Sequence, residues 1–255
     1  MKLVTWNVNS IRARHDRVLA WTAENQPDVL CLQETKVEDG DFPTAELAAL
    51  GYEAVIHGQR TYNGVAILSR TPITDVQHGF GDSGDDTQSR FLVGTTAGVR
   101  VMCAYVPNGE TTTSPKFAYK LEWMQRLTTW LRVHLDTAAP AALCGDFNVA
   151  PAPIDVHDPA LWETTVLFAP AVREALEAVR ATGFVDLVRQ LNPDQPLYSW
   201  WDYRMLSFPK GRGLRIDHVF VTPPLAERAV AAGVDRNARK GKQPSDHAPV
   251  WATFR

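Results

Sequence analysis

Residues 141–151, Ala141-Ala142-Leu143-Cys144-Gly145-Asp146-Phe147-Asn148-Val149-Ala150-Pro151, decide how this chain is arranged. The apolar run predicts a buried strand that ends before Pro151. Since strand side chains alternate, Asp146 and Asn148 point the same way while Phe147 points into the core. A carboxylate beside a carboxamide suits a hard cation or a polarised water, because hard cations prefer oxygen ligands. The alternative is a simple strand-to-turn junction, for which Asp, Asn, Gly and Pro are ordinary residues.

Length and composition predict a globular protein with a sizeable core. The 255 residues are 45% apolar and 22% charged and contain nothing like a linker, so we expect one domain over 1–255, built of two fused halves. Cys31, Cys103 and Cys144 lie in apolar runs and are interpreted as reduced core residues. The start of the sequence lacks a signal-peptide pattern, and no window reaches the roughly 18 apolar residues of a membrane span. We therefore expect a cytoplasmic protein with no membrane partner.

Charge is distributed unevenly along the chain. The formal net charge is −3, but residues 204–242 contain nine Lys or Arg and three acids. A local basic face of this kind favours phosphate contact. A solvated surface loop is an equally good explanation of the charge alone.

Hydrophobic periodicity predicts strands with helices between them. Predicted strands cover 2–8, 29–32, 52–57, 64–69, 91–95, 99–106, the run before Gly145, 198–204, 214–222 and 249–254. Predicted helices cover 10–25, 42–50, 116–134 and 171–182, and a polar, acidic, Gly-rich loop covers 79–90. Strands therefore dominate the predicted fold.

Polar side chains stand at or within five of these strands. They are Asn7, Glu34, Asp146 with Asn148, Asp217, and Asp246 with His247. Each alone is explained by a cap or a turn. Asp217 is the exception, because it lies in the middle of an apolar strand, where an unpaired charge is costly to bury. His247 is its candidate partner, since a carboxylate fixes the tautomer of a histidine. Five such groups together predict one site.

Eight blocks of the chain resemble one family of enzymes. They are Thr5-Trp6-Asn7-Val8-Asn9, Leu32-Gln33-Glu34-Thr35-Lys36, Asn63-Gly64-Val65-Ala66-Ile67, Tyr105-Val106-Pro107-Asn108-Gly109, Gly145-Asp146-Phe147-Asn148-Val149-Ala150-Pro151, Trp201-Asp202-Tyr203-Arg204, Gly211-Arg212-Gly213-Leu214-Arg215-Ile216-Asp217 and Ser245-Asp246-His247-Ala248-Pro249-Val250. In this order and spacing they resemble the exonuclease III family of abasic-site endonucleases, in the endonuclease/exonuclease/phosphatase superfamily. The resemblance covers nearly the whole chain.

The resemblance implies a four-layer α/β sandwich of the DNase I-like type, in which two mixed β-sheets pack face to face with helices outside. It also implies a site at one sheet edge that uses Mg²⁺, with Mn²⁺ able to substitute. The metal residues implied are Asn7, Glu34 and Asp246. The catalytic residues implied are Tyr105, Asp146, Asn148, Asp217 and His247. The DNA or substrate contacts implied are Asn108, Lys116, Lys120, Trp200, Arg204, Arg212, Leu214 and Ile216.

The implied activity is hydrolysis of the phosphodiester 5′ to abasic sites in double-stranded DNA by a monomeric repair nuclease. Exonuclease activity in the 3′-to-5′ direction and removal of 3′ phosphates or other 3′ blocks are implied as well. Hydrolysis needs an aligned water and neutralised phosphate charge, which Mg²⁺ among carboxylates with a cationic imidazole can supply. An apolar pocket around Trp200, Leu214 and Ile216 suits a base-free deoxyribose, because a missing base makes extrusion cheaper. The alternatives are an inositol-phosphate or sphingomyelin phosphodiesterase of the same superfamily and a non-catalytic DNA-binding module.

Overall fold

A computed structural model describes residues 1–82, 84 and 87–255 of the chain. The strands are β1 Lys2–Asn7, β2 Val29–Gln33, β3 Glu53–His57, β4 Val65–Ser69, β5 Thr74–His78, β6 Phe91–Thr96, β7 Val99–Tyr105, β8 Ala141–Asp146, β9 Val185–Asp186, β10 Asp217–Val221, β11 Ala229–Val234 and β12 Val250–Phe254. The helices are α1 His15–Asn25, α2 Thr44–Ala49, α3 Pro115–His134, α4 Pro159–Trp162, α5 Pro170–Arg180, α6 Leu187–Leu191 and α7 Pro223–Ala226. Short 3₁₀ helices cover Asp39–Asp41, Pro153–Asp155, Arg204–Leu206 and Arg236–Arg239.

The strands form two six-stranded mixed sheets. The first has the order β11-β12-β1-β2-β4-β3 and the second the order β9-β10-β8-β7-β6-β5. Each sheet has one parallel pair at its centre, β1 with β2 and β7 with β8, and antiparallel pairs on both sides. The interpretation of 1–255 as one domain of two similar halves stays a prediction, which the repeated strand pattern supports.

Apolar side chains divide the molecule into layers. One core lies between the sheets and includes Cys31 from the first sheet with Cys103 and Cys144 from the second. The three thiols are free and buried, and the Cys31 thiol contacts the other two. A second core fills the space between the second sheet and helices α3 and α5, and a third lies between the first sheet and helices α1 and α2. The predicted four-layer sandwich is therefore confirmed.

Helix α3 shows how local sequence fixes a layer. Ser114 caps its start by accepting a hydrogen bond from the Lys116 N–H, and Pro115 occupies the first helical position. Its buried face carries Trp123, Met124, Leu127 and other apolar residues at helical spacing. The helix therefore covers the second sheet directly behind the strand that carries Asp146.

Some sequence predictions of secondary structure are wrong. Residues 198–204 form no strand; within them Trp200 makes isolated bridges with Leu214 and His247. The strand predicted over 214–222 begins only at Asp217, and β5, β9 and β11 were not predicted. The predicted loop at 79–90 includes 83, 85 and 86, which lie outside the described residues. No helix in the described ranges is long and apolar enough to cross a membrane.

Candidate active site

The first sheet brings three polar groups to one edge. Asn7 is the last residue of β1, and Glu34 directly follows β2. Because β1 and β2 are parallel, both residues leave the sheet at the same edge. His247 enters at that edge too, since β12, which follows it, runs antiparallel to β1.

The second sheet brings three more groups to the facing edge. Asp146 ends β8 and Asp217 begins β10, and the two residues are register partners across that antiparallel pair. Tyr105 ends β7, where its register partner is again Asp146. The five polar strand ends predicted from sequence therefore meet at one seam between the sheets.

Strained backbone holds the residues that follow these strands. Glu34 has φ +52° and Asn148 has φ +50°, in the left-handed region that most side chains avoid. Gly145 has φ +151°, and a Cβ added there would overlap the Ala104 carbonyl oxygen. A side chain is thus excluded at Gly145, because the backbone of β7 lies directly beside it.

His247 lies between two buried carboxylates. Its Nδ1 is 2.9 Å from Asp217 Oδ2, and its Nε2 is 3.7 Å from Asp146 Oδ2. Asp217 is fixed in turn by Ser199, whose Oγ donates to Asp217 Oδ2 at 2.6 Å. All of these side chains are buried. The expected pairing of Asp217 with His247 is present in the geometry.

The electrostatics of this group follow from burial and charge. Burial by itself would lower the pKa of His247, but the Asp217 and Asp146 carboxylates outweigh it and raise that pKa to about 10. Burial is the main cause that raises the pKa of Asp146 to about 7, opposed by His247 and reinforced by Asp217. At neutral pH the imidazole is therefore a cation, and Asp146 is poised to exchange a proton.

Asn7 connects the two sheets. Its Nδ2 donates to Glu34 Oε1 and to Asp146 Oδ2, both at 2.9 Å. Lys36 forms an ion pair with Glu34 at 2.8 Å, and burial of Glu34 is outweighed by Lys36 and Asn7, so that the pKa of Glu34 is lowered. Burial and the nearby Glu34 raise the pKa of Tyr105 well above its usual value, which keeps the phenol neutral.

One group of side chains has the spacing of a metal site. Glu34, Asp146 and His247 each offer an atom within 4.8 Å of the others. His247 is protonated and paired through Nδ1, so the oxygen donors of Glu34 and Asp146 are the ones suited to a hard cation. Asn7 presents its N–H groups to both carboxylates, while its Oδ1 accepts from the Asn9 N–H at 2.9 Å. The residues present fit a divalent cation held mainly by carboxylates.

Asp246 is not one of the three residues of that group, and its expected place at the metal with Asn7 and Glu34 stays a prediction. Its Oδ1 accepts from Asn9 Nδ2 at 2.9 Å, and its Oδ2 accepts from the Trp200 indole at 3.0 Å. Burial opposes its ionisation, but His247, Trp200 and Asn9 outweigh it and lower the pKa of Asp246. In this structure Asp246 orients Trp200 and Asn9 at the rim of the site.

Asn148 lies beside Asp146, as the sequence predicts. Its N–H donates to Asp146 Oδ1 at 2.8 Å, and its Nδ2 lies 3.2 Å from Asp146 Oδ2. The exposed Asn108 donates through Nδ2 to Asn148 Oδ1 at 3.0 Å. Asn108 and Asn148 therefore form one polar rim beside Asp146.

Lys120 does not lie where a DNA contact would lie. Its side chain is completely buried, and Nζ donates to the carbonyls of Asn108, Asn148 and Val166 at 3.1, 2.7 and 2.7 Å. Burial lowers the pKa of Lys120 to about 7, and in the ammonium form all three N–H groups donate to backbone oxygens. Lys120 therefore does not make the expected contact with substrate. It binds the backbone of the loops that carry Asn108, Asn148 and Val166.

The apolar residues predicted to receive a sugar form a closed cluster. Leu214 and Ile216 are 0% and 1% exposed and pack with Phe168 and, at the surface, with Trp162 and Trp200. The Trp162 and Trp200 rings meet edge to face at 6.0 Å. Trp200 is thus the predicted pocket residue that reaches the surface, and Leu214 and Ile216 lie beneath it.

Only part of the basic segment 204–242 is exposed. Arg212 is exposed, and so is Arg204, which pairs with Asp202 at 3.1 Å. Lys116, on α3, is exposed and pairs with Glu110 at 3.3 Å. Arg215 and Arg239 are buried, so two of the nine positive charges counted in 204–242 serve internal contacts. Arg204, Lys210 and Arg212 are exposed in the segment that follows Trp200 in the sequence.

Three residues with clear contacts at the site were given no role from sequence: Ser199, Lys36 and Asn9. Ser199 fixes Asp217, and Lys36 donates to Asn9 Oδ1 at 2.7 Å as well as pairing with Glu34. No periodic signal pointed to Ser199, because residues 198–204 form no strand. Asn9 and Lys36 belong to two of the eight blocks of sequence that resemble the family, and each follows the end of a strand.

Fold and site together define an α/β-sandwich hydrolase with carboxylates and a cationic histidine at the seam of two sheets. The model of the Endonuclease/Exonuclease/phosphatase family matches residues 4–247, so the chain belongs to that family. Exodeoxyribonuclease III of Haemophilus influenzae is 36% identical over 267 residues, which cover 100% of both proteins.

Solved structures agree with this assignment. An AP endonuclease from Archaeoglobus fulgidus is 42% identical with a TM-score of 0.97, covering 100% of this chain and 99% of that one. A 3′ phosphatase from Neisseria bound to a product DNA hairpin is 42% identical with a TM-score of 0.96 and the same coverage. The resemblance to the exonuclease III family is confirmed, and the chain is an enzyme of the nuclease and phosphodiesterase type.

Proposed function

We propose that the chain is a DNA repair nuclease that hydrolyses the phosphodiester 5′ to abasic sites in duplex DNA, with 3′-to-5′ exonuclease and 3′-phosphatase activity at the same site. The observation that carries the proposal is the contact series from Asp217 through His247 to Asp146, with Glu34 within 4.8 Å of the last two. It combines a fixed cation, a buried carboxylate with a raised pKa and a second carboxylate, which is the set that phosphodiester hydrolysis needs.

In this proposal His247 binds the phosphate and Asp146 acts on the attacking water. The His247 imidazolium, held through Nδ1 by Asp217, presents Nε2–H to a non-bridging oxygen of the scissile phosphate. Asp146 aligns the attacking water and accepts its proton; burial raises its pKa to about 7, and a bound cation would lower that value. The water oxygen bonds to phosphorus as the bond to the 3′ oxygen breaks, and the departing 3′ oxygen takes a proton from solvent. Asn148, Asn108 and Tyr105 lie at the rim, where phosphate or sugar is bound.

Mg²⁺ is the proposed cation, and Mn²⁺ is the expected substitute. Glu34 and Asp146 would hold it, with Asn7 fixing both carboxylates. When bound, the ion neutralises phosphate charge.

The proposed partner is double-stranded DNA with an abasic site or a blocked 3′ end. The exposed Arg204, Arg212 and Lys116 suit phosphate contact, which is sequence-independent and sensitive to salt. Trp200 supplies the aromatic wall for a base-free sugar. The relatives named exodeoxyribonuclease III and AP endonuclease support this partner. A monomer located in the cytoplasm stays part of the proposal.

The test is incision of a duplex oligonucleotide that carries one abasic analogue, with Mg²⁺ and with EDTA, beside an undamaged duplex and an inositol phosphate. Metal-dependent cutting 5′ to the lesion is the expected result. DNA binding without any cutting would refute catalysis and leave a binding module. Phosphate release from the inositol substrate alone would refute the DNA substrate and place the chain with the lipid-directed members of the family.

A further inference from the structure

The turn after Asp146 is held from behind by two buried side chains. Lys120 Nζ donates to the Asn148 carbonyl at 2.7 Å, and His218 Nε2 lies 2.8 Å from the Val149 carbonyl. Both side chains are 0% exposed. The two carbonyls are consecutive and follow the left-handed Asn148. Two independent contacts therefore fix the two peptide groups that come directly after Asn148.

The neighbour of His218 determines which of its ring nitrogens carries the proton. Arg215 Nη1 lies 3.0 Å from His218 Nδ1, and a guanidinium can only donate, so Nδ1 accepts and Nε2 carries the proton. Burial, and then the charge of Arg215, lower the pKa of His218 to about 4, so the ring is neutral at neutral pH. His218 thus has one N–H, and it is directed at Val149.

Arg215 is itself fixed by two carboxylates. Its Nε lies 2.7 Å from Asp155 Oδ1 and its Nη2 lies 2.8 Å from Asp186 Oδ2, with the guanidinium fully buried. Apolar residues of similar volume often give equal or greater stability than a buried ion network. The network also orients the His218 ring. It places the ring proton on Nε2, and that N–H holds the Val149 carbonyl.

Lys120 connects the same turn to the loop opposite. Besides the Asn148 carbonyl it binds the Asn108 carbonyl at 3.1 Å, and the Asn108 and Asn148 side chains meet at 3.0 Å. The two amides at the rim of the site therefore share one buried anchor.

We propose that Lys120 and His218 are positioning residues that aim Asn148 at Asp146, and that Arg215 acts on the same turn through His218. None of the three touches substrate. Their effect on the reaction rests on the proposed nuclease activity, whereas their effect on the turn does not.

The variants are chosen to separate positioning from stability. His218→Phe keeps the ring that stacks on Phe220 at 5.2 Å and removes both ring nitrogens. His218→Gln restores an N–H donor, and Lys120→Met removes the second anchor. Tyr52→Phe is the control, because it removes another buried hydrogen bond to a backbone carbonyl, 2.6 Å to Pro27, at the far end of β2 from Glu34.

Three quantities are measured on each folded variant: the single-turnover incision rate, the Kd for abasic duplex in EDTA, and hydrogen exchange of the Asn148 amide, which donates to Asp146. His218→Phe and Lys120→Met should each slow incision by roughly 10- to 100-fold, as loss of outer partners of a site typically does. Kd should change by less than about 2-fold, and the Asn148 amide should exchange roughly 10-fold faster. His218→Gln should recover most of the rate, and Tyr52→Phe should change none of the three.

Incision and exchange rates equal to those of Tyr52→Phe would overturn the proposal, and so would loss of DNA affinity in place of rate. If His218→Phe does not fold, His218→Gln and Lys120→Met still give all three measurements. Failure of the unsubstituted chain to cut abasic duplex would refute the proposed function instead. The exchange of the Asn148 amide would then test the positioning by itself.

Discussion

Asp146 and Asp217 lie opposite each other as register partners of β8 and β10, and both side chains are buried. Two buried carboxylates in adjacent strands repel each other and resist ionisation. His247 approaches both, at 2.9 Å from Asp217 and 3.7 Å from Asp146. The imidazolium is therefore the charge that makes this pair of carboxylates tolerable, in addition to its proposed role in catalysis.

The first prediction concerns coupling between Asp217 and His247. Asp217→Asn and His247→Gln should each lower kcat on the order of 10²-fold or more, because each leaves the other group wrongly charged or wrongly oriented. The double variant should be no worse than about the poorer single one. Single-turnover incision rates of the four proteins measure this. Additive losses would show that the two residues act separately.

The second prediction is a bell-shaped pH dependence of kcat/KM. Activity should rise as Asp146 loses its proton, at or below pH 7, and fall at or below about pH 10 as His247 loses its own, because a bound cation lowers both pKa values. Asp217 is the main cause that raises the pKa of His247, so in Asp217→Asn the alkaline limb should move to lower pH. An alkaline limb at the same pH in both proteins would contradict the assignment to His247.

The third prediction concerns the cation. EDTA should abolish incision, and Glu34→Gln should raise the Mg²⁺ concentration for half-maximal rate by roughly 10- to 100-fold, because it removes one of two anionic ligands. Asp39→Asn is a suitable control, since Asp39 lies outside the group of Glu34, Asp146 and His247. A Mg²⁺ titration of both variants is the measurement, and equal midpoints would argue against Glu34 as a ligand.

The fourth prediction concerns Trp200. Trp200→Phe keeps an aromatic wall but removes the indole bond to Asp246, whereas Trp200→Ala removes both. Preference for abasic over undamaged duplex should survive in the first variant and fall in the second by roughly 10-fold, the effect of losing one or two kcal/mol of aromatic contact. Competition assays with both duplexes report the preference. Retained preference in Trp200→Ala would place the sugar elsewhere.

The fifth prediction is structural and concerns Gly145. Gly145→Ala should lower the free energy of unfolding by about 2–4 kcal/mol, since the new Cβ overlaps the Ala104 carbonyl and φ is +151°. Gly40→Ala is the control, because no atom lies within 4 Å of its Cβ. Urea unfolding of the two variants compares them. Equal stability would mean that β8 can move away from β7 without loss.

The meeting of the polar strand ends could be predicted from sequence because each strand ends sharply. Asn7, Glu34 and Asp146 follow mainly apolar runs, so both the face and the exit of each strand are visible in the residues. Asp217 was conspicuous for the opposite reason, as an acid inside an apolar run. Its partner His247 is 30 residues away along the chain, and only the sheet topology brings the two together.

Lys120 shows what local pattern could reveal and what it could not. It stands three and four residues before the buried Trp123 and Met124, on the inner stripe of α3, so its burial was readable. Its three carbonyl partners could not be predicted from the local pattern, because they come from separate loops. The same holds for Asp246, whose neighbours Asn9 and Trp200 are 237 and 46 residues distant in sequence. Long-range pairing of this kind leaves no periodic signal.

The cysteine contacts described between the sheets have a consequence for the site. Cys103 and Cys144 precede Tyr105 and Asp146 by two residues on the same strand faces, and Cys31 meets them from the opposite sheet just before Glu34. The volume of these three small side chains therefore sets the spacing of the two sheets, and with it the distance between Glu34 and Asp146. A bulkier residue at Cys144 would push the sheets apart and weaken binding of the proposed cation, although Glu34 and Asp146 would both still be present.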